Sequence, residues 1–313
     1  MKRVYSARRM RVVAVLSMVC VIALVALGSG SALAKSKSKP THGVPRPAKN
    51  LPVVPGSQYL ALGDSVTFGY MEPTVVPAPD YADAASFPGY PEQLAARLRL
   101  SVANASCPGE TSSSLINPSA PSNGCENNPA HTGGNYRMIH PLHVSYKGSQ
   151  LAFALSYLHS HHNVRLVTLM IDANDFFVCQ ETKPDGCAST AEQSAVAATV
   201  TKNIQTILSA IRNKAHYNGQ LVIVNYYSLD YSMPADNAQS QALNQVQDAA
   251  AKPFGVRIAD GYGEMQAGSA HSGDNTCTAG LLTQLSAGGC GIHPSYAGQA
   301  LLAQALEKTI TIG

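Results

Sequence analysis

Segments that read as strands alternate with helical patterns along most of the chain, and this alternation limits the folds that the sequence can adopt. Strand patterns, most of them short apolar runs of the kind found in buried parallel sheets, occur at 59–62, 102–105, 164–171, 221–226 and 256–259. Helical patterns occur at 90–100, 149–161, 190–216, 238–251 and 295–309. Strands that alternate with helices predict an α/β domain whose parallel central sheet is covered by helices on both faces.

The N-terminal region has the organisation of a secretory signal peptide. A basic start is followed by an apolar run from Val12 to Leu27 and then by Ala32-Leu33-Ala34. A membrane anchor is the competing interpretation, but the run is shorter than the ~20 residues of a spanning helix. We therefore expect a signal peptide at 1–34 and a secreted, extracellular protein without a stable membrane anchor. Residues 35–56, rich in Lys, Ser and Pro, predict a disordered leader before a single domain at 57–313.

The charge balance of the mature chain argues against a nucleic-acid partner. The full sequence has 22 basic and 19 acidic residues, and residues 1–34 hold five of the basic ones and none of the acidic ones. Cleavage therefore leaves 17 basic against 19 acidic residues, a near-neutral surface without a basic patch. We expect a monomer.

Six of the seven cysteines lie in the domain, an even number that is typical of disulfides in an exported chain. Six cysteines allow 15 connectivities, but these six fall into three local pairs in loops rich in Gly, Pro and Asn. Metal binding is the alternative for clustered cysteines, and the absence of Cys-x-x-Cys spacing makes it the weaker one. The favoured disulfides are Cys107 with Cys125, Cys179 with Cys187, and Cys277 with Cys290.

Four residues that could perform chemistry follow predicted strands or open the last helix. Ser65 follows the first strand, Gly109 the second and Asn174 the third, while His293 precedes the last helix. Each alone would be an ordinary turn, cap or surface residue. Ligands of open α/β sheets bind beyond the carboxyl ends of the strands, however, so together the four predict one site.

The chemistry of each group suggests its role. Ser65 would attack a carbonyl carbon, and His293 would take the hydroxyl proton and return it to the leaving group. The oxyanion would be bound by the backbone N–H of Ser65, the N–H of Gly109 and the side-chain amide of Asn174. Glycine suits the second position because it lets the backbone approach a ligand closely.

These residues resemble a known family. Gly63-Asp64-Ser65, Gly109, Asn174-Asp175 and His293 resemble the four blocks of the SGNH (GDSL) hydrolases. The three cysteine pairs further resemble the secreted actinobacterial esterases and lipases of that family.

The resemblance implies a flavodoxin-like three-layer α/β/α sandwich and a serine hydrolase that cleaves carboxylic esters through an acyl-enzyme. It implies no metal and no organic cofactor, and a small-molecule, lipid or acylated-glycan ester as substrate. A polysaccharide deacetylase-type esterase and a phospholipase are alternatives within the family. A non-catalytic secreted binding protein on the same fold is the alternative outside it.

The chain departs from the family pattern at two positions. Asp172 stands where the third block usually has glycine, and Cys290 stands where the last block, Asp-x-x-His, usually has its acid. A disulfide-bonded cysteine has no carboxylate to orient His293, but its backbone carbonyl could accept the imidazole N–H and select the tautomer. The first hypothesis is therefore a Ser-His dyad completed by the Cys290 carbonyl. The second is a carboxylate from Asp274 or Glu264.

Overall fold

The computed structural model describes residues 49–131 and 135–313. Its central sheet consists of five parallel strands: β1 (Gln58–Gly63), β2 (Ser101–Asn104), β3 (Val164–Met170), β4 (Gln220–Val224) and β5 (Arg257–Ala259). They lie in the order β2-β1-β3-β4-β5, which is the flavodoxin-like order. All five strands coincide with apolar or strand-like segments of the sequence, and the expected α/β class with a parallel sheet is confirmed.

Ten α-helices occur in the described residues: α1 (Ser65–Phe68), α2 (Tyr90–Leu98), α3 (Ser112–Ile116), α4 (Tyr136–Ile139), α5 (Gln150–Ser160), α6 (Ala173–Thr182), α7 (Thr190–Ser209), α8 (Pro234–Ala251), α9 (Gly261–Ser269) and α10 (Tyr296–Thr309). A π-helical turn, Ala210–Lys214, extends α7, and single 3-10 turns lie at Ala84–Ser86, Lys252–Phe254 and Ala270–Ser272. The five predicted helices are all present. The other five, α1, α3, α4, α6 and α9, were not expected.

Each face of the sheet is covered by its own set of helices, because successive side chains of a strand point to opposite faces. Tyr59 and Ala61 of β1 pack in one apolar cluster with residues of α2, α9 and α10. Leu60 and Leu62 pack in a second cluster with residues of α5, α7 and α8. The result is the three-layer sandwich that the family resemblance implied.

Two short antiparallel strands lie apart from the central sheet. They are β6 (Leu282–Gln284) and β7 (Cys290–Pro294), and β7 carries His293. The ribbon was not expected, since its strands are short and rich in Gly, Cys and Thr. It leads directly into α10 and so carries His293 toward the carboxyl edge of the sheet.

The contacts of the domain begin before Ser57. The Lys49 N–H donates to the Asn218 carbonyl at 2.9 Å, and Val53, which is buried, pairs with Ile312 near the C-terminus. These contacts place the last residues of the proposed leader against the domain. The predicted signal peptide lies outside the described residues. In the part of the chain that the structure describes, no helix has the length and apolar character needed to cross a membrane.

Candidate active site

Ser65 is the first residue of α1, immediately beyond the carboxyl end of β1. Gly63 makes the turn possible: its φ of 152° favours glycine, and a Cβ there would overlap Thr67 and the Met170 carbonyl. Asp64 caps the helix, since its Oδ1 accepts the Val66 N–H at 2.9 Å. As the first helical residue, Ser65 has a backbone N–H without an intrahelical acceptor. The hydroxyl and the backbone N–H of Ser65 therefore both lie at the carboxyl edge of the sheet, where a ligand could contact them.

The Ser65 hydroxyl lies in a hydrogen-bonded chain with a histidine and a carboxylate. Ser65 Oγ is 2.9 Å from Nε2 of His293, and Nδ1 of His293 is 2.8 Å from Oε1 of Glu72. The serine and the histidine are both buried. With Nδ1–H donated to Glu72, Nε2 is the basic nitrogen that faces the serine. This is the nucleophile, base and acid arrangement of a serine hydrolase triad.

Glu72 is held by more than the imidazole. Its Oε1 also accepts the Ile292 N–H at 2.8 Å and the His293 N–H at 3.3 Å, while Oε2 accepts the Thr283 hydroxyl at 2.6 Å. Gly291 allows this approach, because a Cβ at that position would overlap the Glu72 carboxylate. One carboxylate therefore binds both the side chain and the backbone of the segment that carries the base.

The surroundings of Glu72 keep it ionised. Partial burial acts to raise its pKa, but the hydrogen bond and charge of His293, with the Thr283 hydroxyl, outweigh burial and lower the pKa of Glu72 to about 2. The carboxylate is consequently charged at any pH near neutrality. It can stabilise an imidazolium that forms when His293 takes a proton from Ser65.

The structure places none of the groups suggested by the sequence against Nδ1 of His293. Nδ1 of His293 contacts the Glu72 carboxylate and not the Cys290 carbonyl. Glu264 lies elsewhere, paired with Lys308 at 2.6 Å. Asp274 takes part in backbone bonding, in which its carbonyl accepts the Tyr231 N–H at 2.8 Å. The only sequence signal for this role of Glu72 is its position seven residues after Ser65, in a loop at the same edge of the sheet.

Gly109 and Asn174 follow the two strands that flank β1. Gly109 lies in the loop after β2 with φ of 82°, and Asn174 is the second residue of α6, after β3, and is buried. Backbone bonds join these loops to the nucleophile turn: Cys107 N–H donates to the Gly63 carbonyl at 3.2 Å, and Asp64 N–H to the Met170 carbonyl at 3.3 Å. The sheet order thus places both candidate oxyanion donors beside the Ser65 turn.

Asp172 adopts a backbone conformation that explains why glycine is usual at its position. Its φ is 138°, a value that L side chains rarely adopt. The side chain is fully buried, and burial, followed by the charges of Asp175 and Asp64, raises its pKa well above the usual range. Burial at this position therefore favours the protonated form of the Asp172 side chain. Asp172 leaves Asn174 in place.

An aromatic group borders the base. The ring of Tyr70 lies edge-on to His293 with ring centres 5.0 Å apart, and Tyr70 also contacts Tyr136 at 5.8 Å and Phe87 at 6.3 Å. Ile292, beside the histidine, is 44% exposed. The histidine therefore lies next to apolar surface that could contact an ester substituent.

The three expected disulfides are all present, with Cα separations of 5.8, 5.5 and 5.7 Å for Cys107–Cys125, Cys179–Cys187 and Cys277–Cys290. The first closes the loop that contains Gly109, and the last joins the turn before β6 to the start of β7. Cys107 and Cys125 also form, with Glu110, one cluster with metal-ligand spacing among the described residues. Their sulfurs are bonded to each other, so this cluster has no thiolate to offer a metal.

A family model described as the GDSL-like lipase/acylhydrolase family matches residues 61–301. The chain belongs to this family. The match spans the turn of Ser65 and extends past His293, and membership supports an ester hydrolase. No curated protein matches the chain in sequence.

Solved structures share the fold at low sequence identity. Phospholipase A1 from Streptomyces albidoflavus NA297 is 21% identical, with 81% of this chain and 99% of that chain covered and a TM-score of 0.50. A carbohydrate esterase family 2 enzyme with a carbohydrate-binding domain from Corynascus thermopiles (Myceliophthora fergusii) is 20% identical. The alignment covers 82% of this chain and 65% of that chain, with a TM-score of 0.50. At these identities the likeness establishes the three-layer fold and leaves the substrate open.

Proposed function

We propose that the protein is a secreted serine esterase that cleaves carboxylic esters through an acyl-enzyme, with Ser65, His293 and Glu72 as its triad. The observation that carries this proposal is the continuous chain of hydrogen bonds from Ser65 Oγ through both ring nitrogens of His293 to Glu72. A chain that had kept only the fold for binding would have no need for this alignment. Three disulfides are consistent with export, and the signal peptide remains a prediction.

In the first half-reaction, Ser65 Oγ attacks the ester carbonyl carbon while Nε2 of His293 accepts the hydroxyl proton. The carbonyl oxygen becomes an oxyanion, for which the N–H groups of Ser65 and Gly109 and the amide of Asn174 are the proposed donors. Glu72 stabilises the imidazolium. His293 then gives its proton to the leaving alcohol as the C–O bond breaks, which leaves an acyl group on Ser65.

In the second half-reaction, water takes the place of the alcohol. His293 accepts a proton from the water as its oxygen attacks the acyl carbonyl carbon, and the oxyanion forms again at the same donors. Collapse of this intermediate breaks the bond to Ser65 Oγ, and His293 returns the proton to the serine. The carboxylic acid leaves and the enzyme is restored without a cofactor in any step.

Substitution of Ser65 tests the proposal. Ser65→Ala should lower kcat for p-nitrophenyl acetate by at least ~10³-fold, since the nucleophile is lost while the fold is kept. Ser156→Ala, an exposed serine of α5, is the matched control and should hydrolyse the ester like wild type. Equal rates for Ser65→Ala and wild type would overturn the proposal.

A fluorophosphonate probe separates an enzyme from a binding protein. The activated serine should be labelled in wild type, with the added mass on the peptide that contains Ser65, and Ser65→Ala should not be labelled. A folded wild-type protein that resists the probe would favour the binding-protein alternative. A panel of short and long acyl esters, phospholipids and acetylated glycans would then assign the substrate within the ester class.

A further inference from the structure

We propose that Asn123 is a positioning residue that determines which end of the Asn174 amide faces the substrate. This inference rests on the proposed function, in which Asn174 donates a hydrogen bond to the oxyanion. An asparagine amide has nearly the same shape in its two orientations, but only Nδ2 can donate. The reversed amide would point the lone pairs of Oδ1 at a developing negative charge. Something in the protein must therefore fix the orientation of Asn174.

Three asparagine amides form a chain that begins at a backbone N–H. The Ala130 N–H donates to Oδ1 of Asn128 at 2.9 Å, and Nδ2 of Asn128 donates to Oδ1 of Asn123 at 3.2 Å. Nδ2 of Asn123 then donates to Oδ1 of Asn174 at 3.0 Å. A backbone N–H can only donate, so it fixes the orientation of the first amide. Each amide then fixes the next one.

The end of this chain is the Asn174 side chain with its Oδ1 already occupied. The Nδ2 group of Asn174 is therefore the end of the amide that faces other acceptors. This is the orientation that a donor to the oxyanion requires. The direction of all three amides follows from one obligate donor, the N–H of Ala130. We call this set, Ala130, Asn128, Asn123 and Asn174, the amide relay.

Asn123 also contacts the other proposed donor through its backbone. The Asn123 N–H donates to the Gly109 carbonyl at 2.7 Å, and a Cβ on Gly109 would overlap the Asn123 carbonyl. The Cys107–Cys125 disulfide closes the segment that contains both residues. One residue thus contacts both the Gly109 backbone and the Asn174 amide, which follow different strands of the sheet.

The substitution Asn123→Asp tests the relay, because a carboxylate can accept but not donate. Its oxygens would accept from Asn128 and from Asn174, so the amide of Asn174 would turn and present Oδ1 to the oxyanion. Loss of one oxyanion donor typically costs ~10²–10³-fold in kcat. We expect a loss of at least this size for p-nitrophenyl acetate, with KM changed less than ~3-fold.

Asn123→Ala should be milder than Asn123→Asp, with a loss of ~10-fold, since it removes the hold on Asn174 without enforcing the wrong orientation. The relay therefore predicts a larger loss of kcat for Asn123→Asp than for Asn123→Ala. A loop that was merely disrupted would be expected to show the smaller residue as the more damaging one.

Asn127→Asp is the matched control. Asn127 lies in the same loop, is also half-buried, and makes side-chain bonds to the loop backbone at Ser122 and Ala120, at 3.0 and 2.8 Å, but none to the relay. The same chemical change there should lower the midpoint of thermal unfolding while kcat changes less than ~3-fold. Equal losses of kcat for the two Asp variants would overturn the proposal.

A double variant distinguishes orientation from general damage. In an Asn174→Ala background the amide is gone, so Asn123→Asp should lower kcat by no more than ~3-fold further. A full second loss of ~10²-fold in that background would overturn the relay. So would wild-type kcat in the single Asn123→Asp variant.

Asn128→Asp decides the question if Asn123→Asp does not fold. Without a donor at 128, Asn123 would turn its Nδ2 toward the new carboxylate and its Oδ1 toward Asn174, which would reverse Asn174 in turn. The expected loss is again ~10²-fold in kcat, larger than for Asn128→Ala, and wild-type kcat would refute the relay. Failure of the proposed function would appear separately, as wild-type activity in Ser65→Ala.

Discussion

The substitution Glu72→Gln removes the charge behind His293 while keeping its shape. In many serine hydrolases an amide at this position is severe, because its NH₂ group turns toward Nδ1 and selects the wrong histidine tautomer, at a cost of ~10⁴ in rate. The structure predicts a different result here. Oε1 of Glu72 faces two backbone donors, the N–H groups of Ile292 at 2.8 Å and His293 at 3.3 Å, besides Nδ1.

Those donors determine how the glutamine would lie. Its oxygen must take the position of Oε1, since an NH₂ group there would face two N–H groups that can only donate. Its nitrogen then faces the Thr283 hydroxyl, which can accept as well as donate. His293 therefore keeps its Nδ1–H and its tautomer, and Glu72→Gln loses only the charge.

The expected loss of kcat in Glu72→Gln follows from the attraction between the Glu72 carboxylate and the positive charge that forms on His293. Two unit charges ~4 Å apart attract by about 4 kcal/mol at an effective dielectric constant of ~20. The glutamine oxygen still offers a neutral hydrogen bond of about 1 kcal/mol. The difference of about 3 kcal/mol corresponds to a loss of ~10²-fold in kcat. Glu72→Ala should lose ~10³–10⁴-fold, because tautomer selection is lost as well.

Single-turnover and steady-state rates with p-nitrophenyl acetate would measure both variants. Thr283→Val serves as the control, since it removes a hydrogen bond from Oε2 and leaves the charge and the tautomer unchanged; its kcat should fall less than ~10-fold. Equal losses for Glu72→Gln and Glu72→Ala would refute the role of the two backbone donors. Wild-type activity in Glu72→Ala would refute the triad.

Two further predictions concern the surroundings of the site. Replacing Cys277 and Cys290 together with alanine should lower the free energy of unfolding in urea by about 3 kcal/mol, the value for a loop of this length. Its kcat should stay near wild type because Glu72 orients His293, and a folded variant with the low kcat of Glu72→Ala would contradict this. Burial raises the pKa of Asp64 to about 6, above its value of 3.8 in an unfolded chain, so ionisation favours unfolding. Wild type should therefore lose about 2 kcal/mol of stability relative to Asp64→Asn between pH 4 and pH 7, and a pH-independent difference in urea unfolding would contradict the shift.

The central sheet could be predicted from the sequence because parallel strands leave a strong local signal. Leu166 to Met170, for example, is buried on both faces of the sheet, so the segment is nearly continuous in apolar residues. Ser65, Gly109 and Asn174 could be placed for a related reason. Each lies within a few residues of the end of one of three strands, and the carboxyl ends of parallel strands meet at one edge.

The ribbon of β6 and β7 and helix α6 left weaker signals. A three-residue strand such as Leu282–Gln284 is too short for a pattern of period two to be visible. Helix α6 begins at Ala173 after a residue of unusual φ, Asp172, which offers no side-chain cap to mark its start. In both places tertiary contacts decide the structure, and local propensity does not.

The acid of the proposed triad could not be predicted from the sequence, because it is distant from His293 along the chain. The family pattern has its aspartate three residues before the histidine, but Nδ1 needs only an acceptor at the right point in space. Glu72 lies 221 residues away along the chain, in the loop that follows the nucleophile helix. Its carboxylate also accepts backbone N–H groups of the β7 segment, and Gly291 leaves room for it. The contact that docks β7 against the segment after Ser65 is therefore the same contact that orients His293, the proposed base, so position 290 can hold a disulfide instead of an acid.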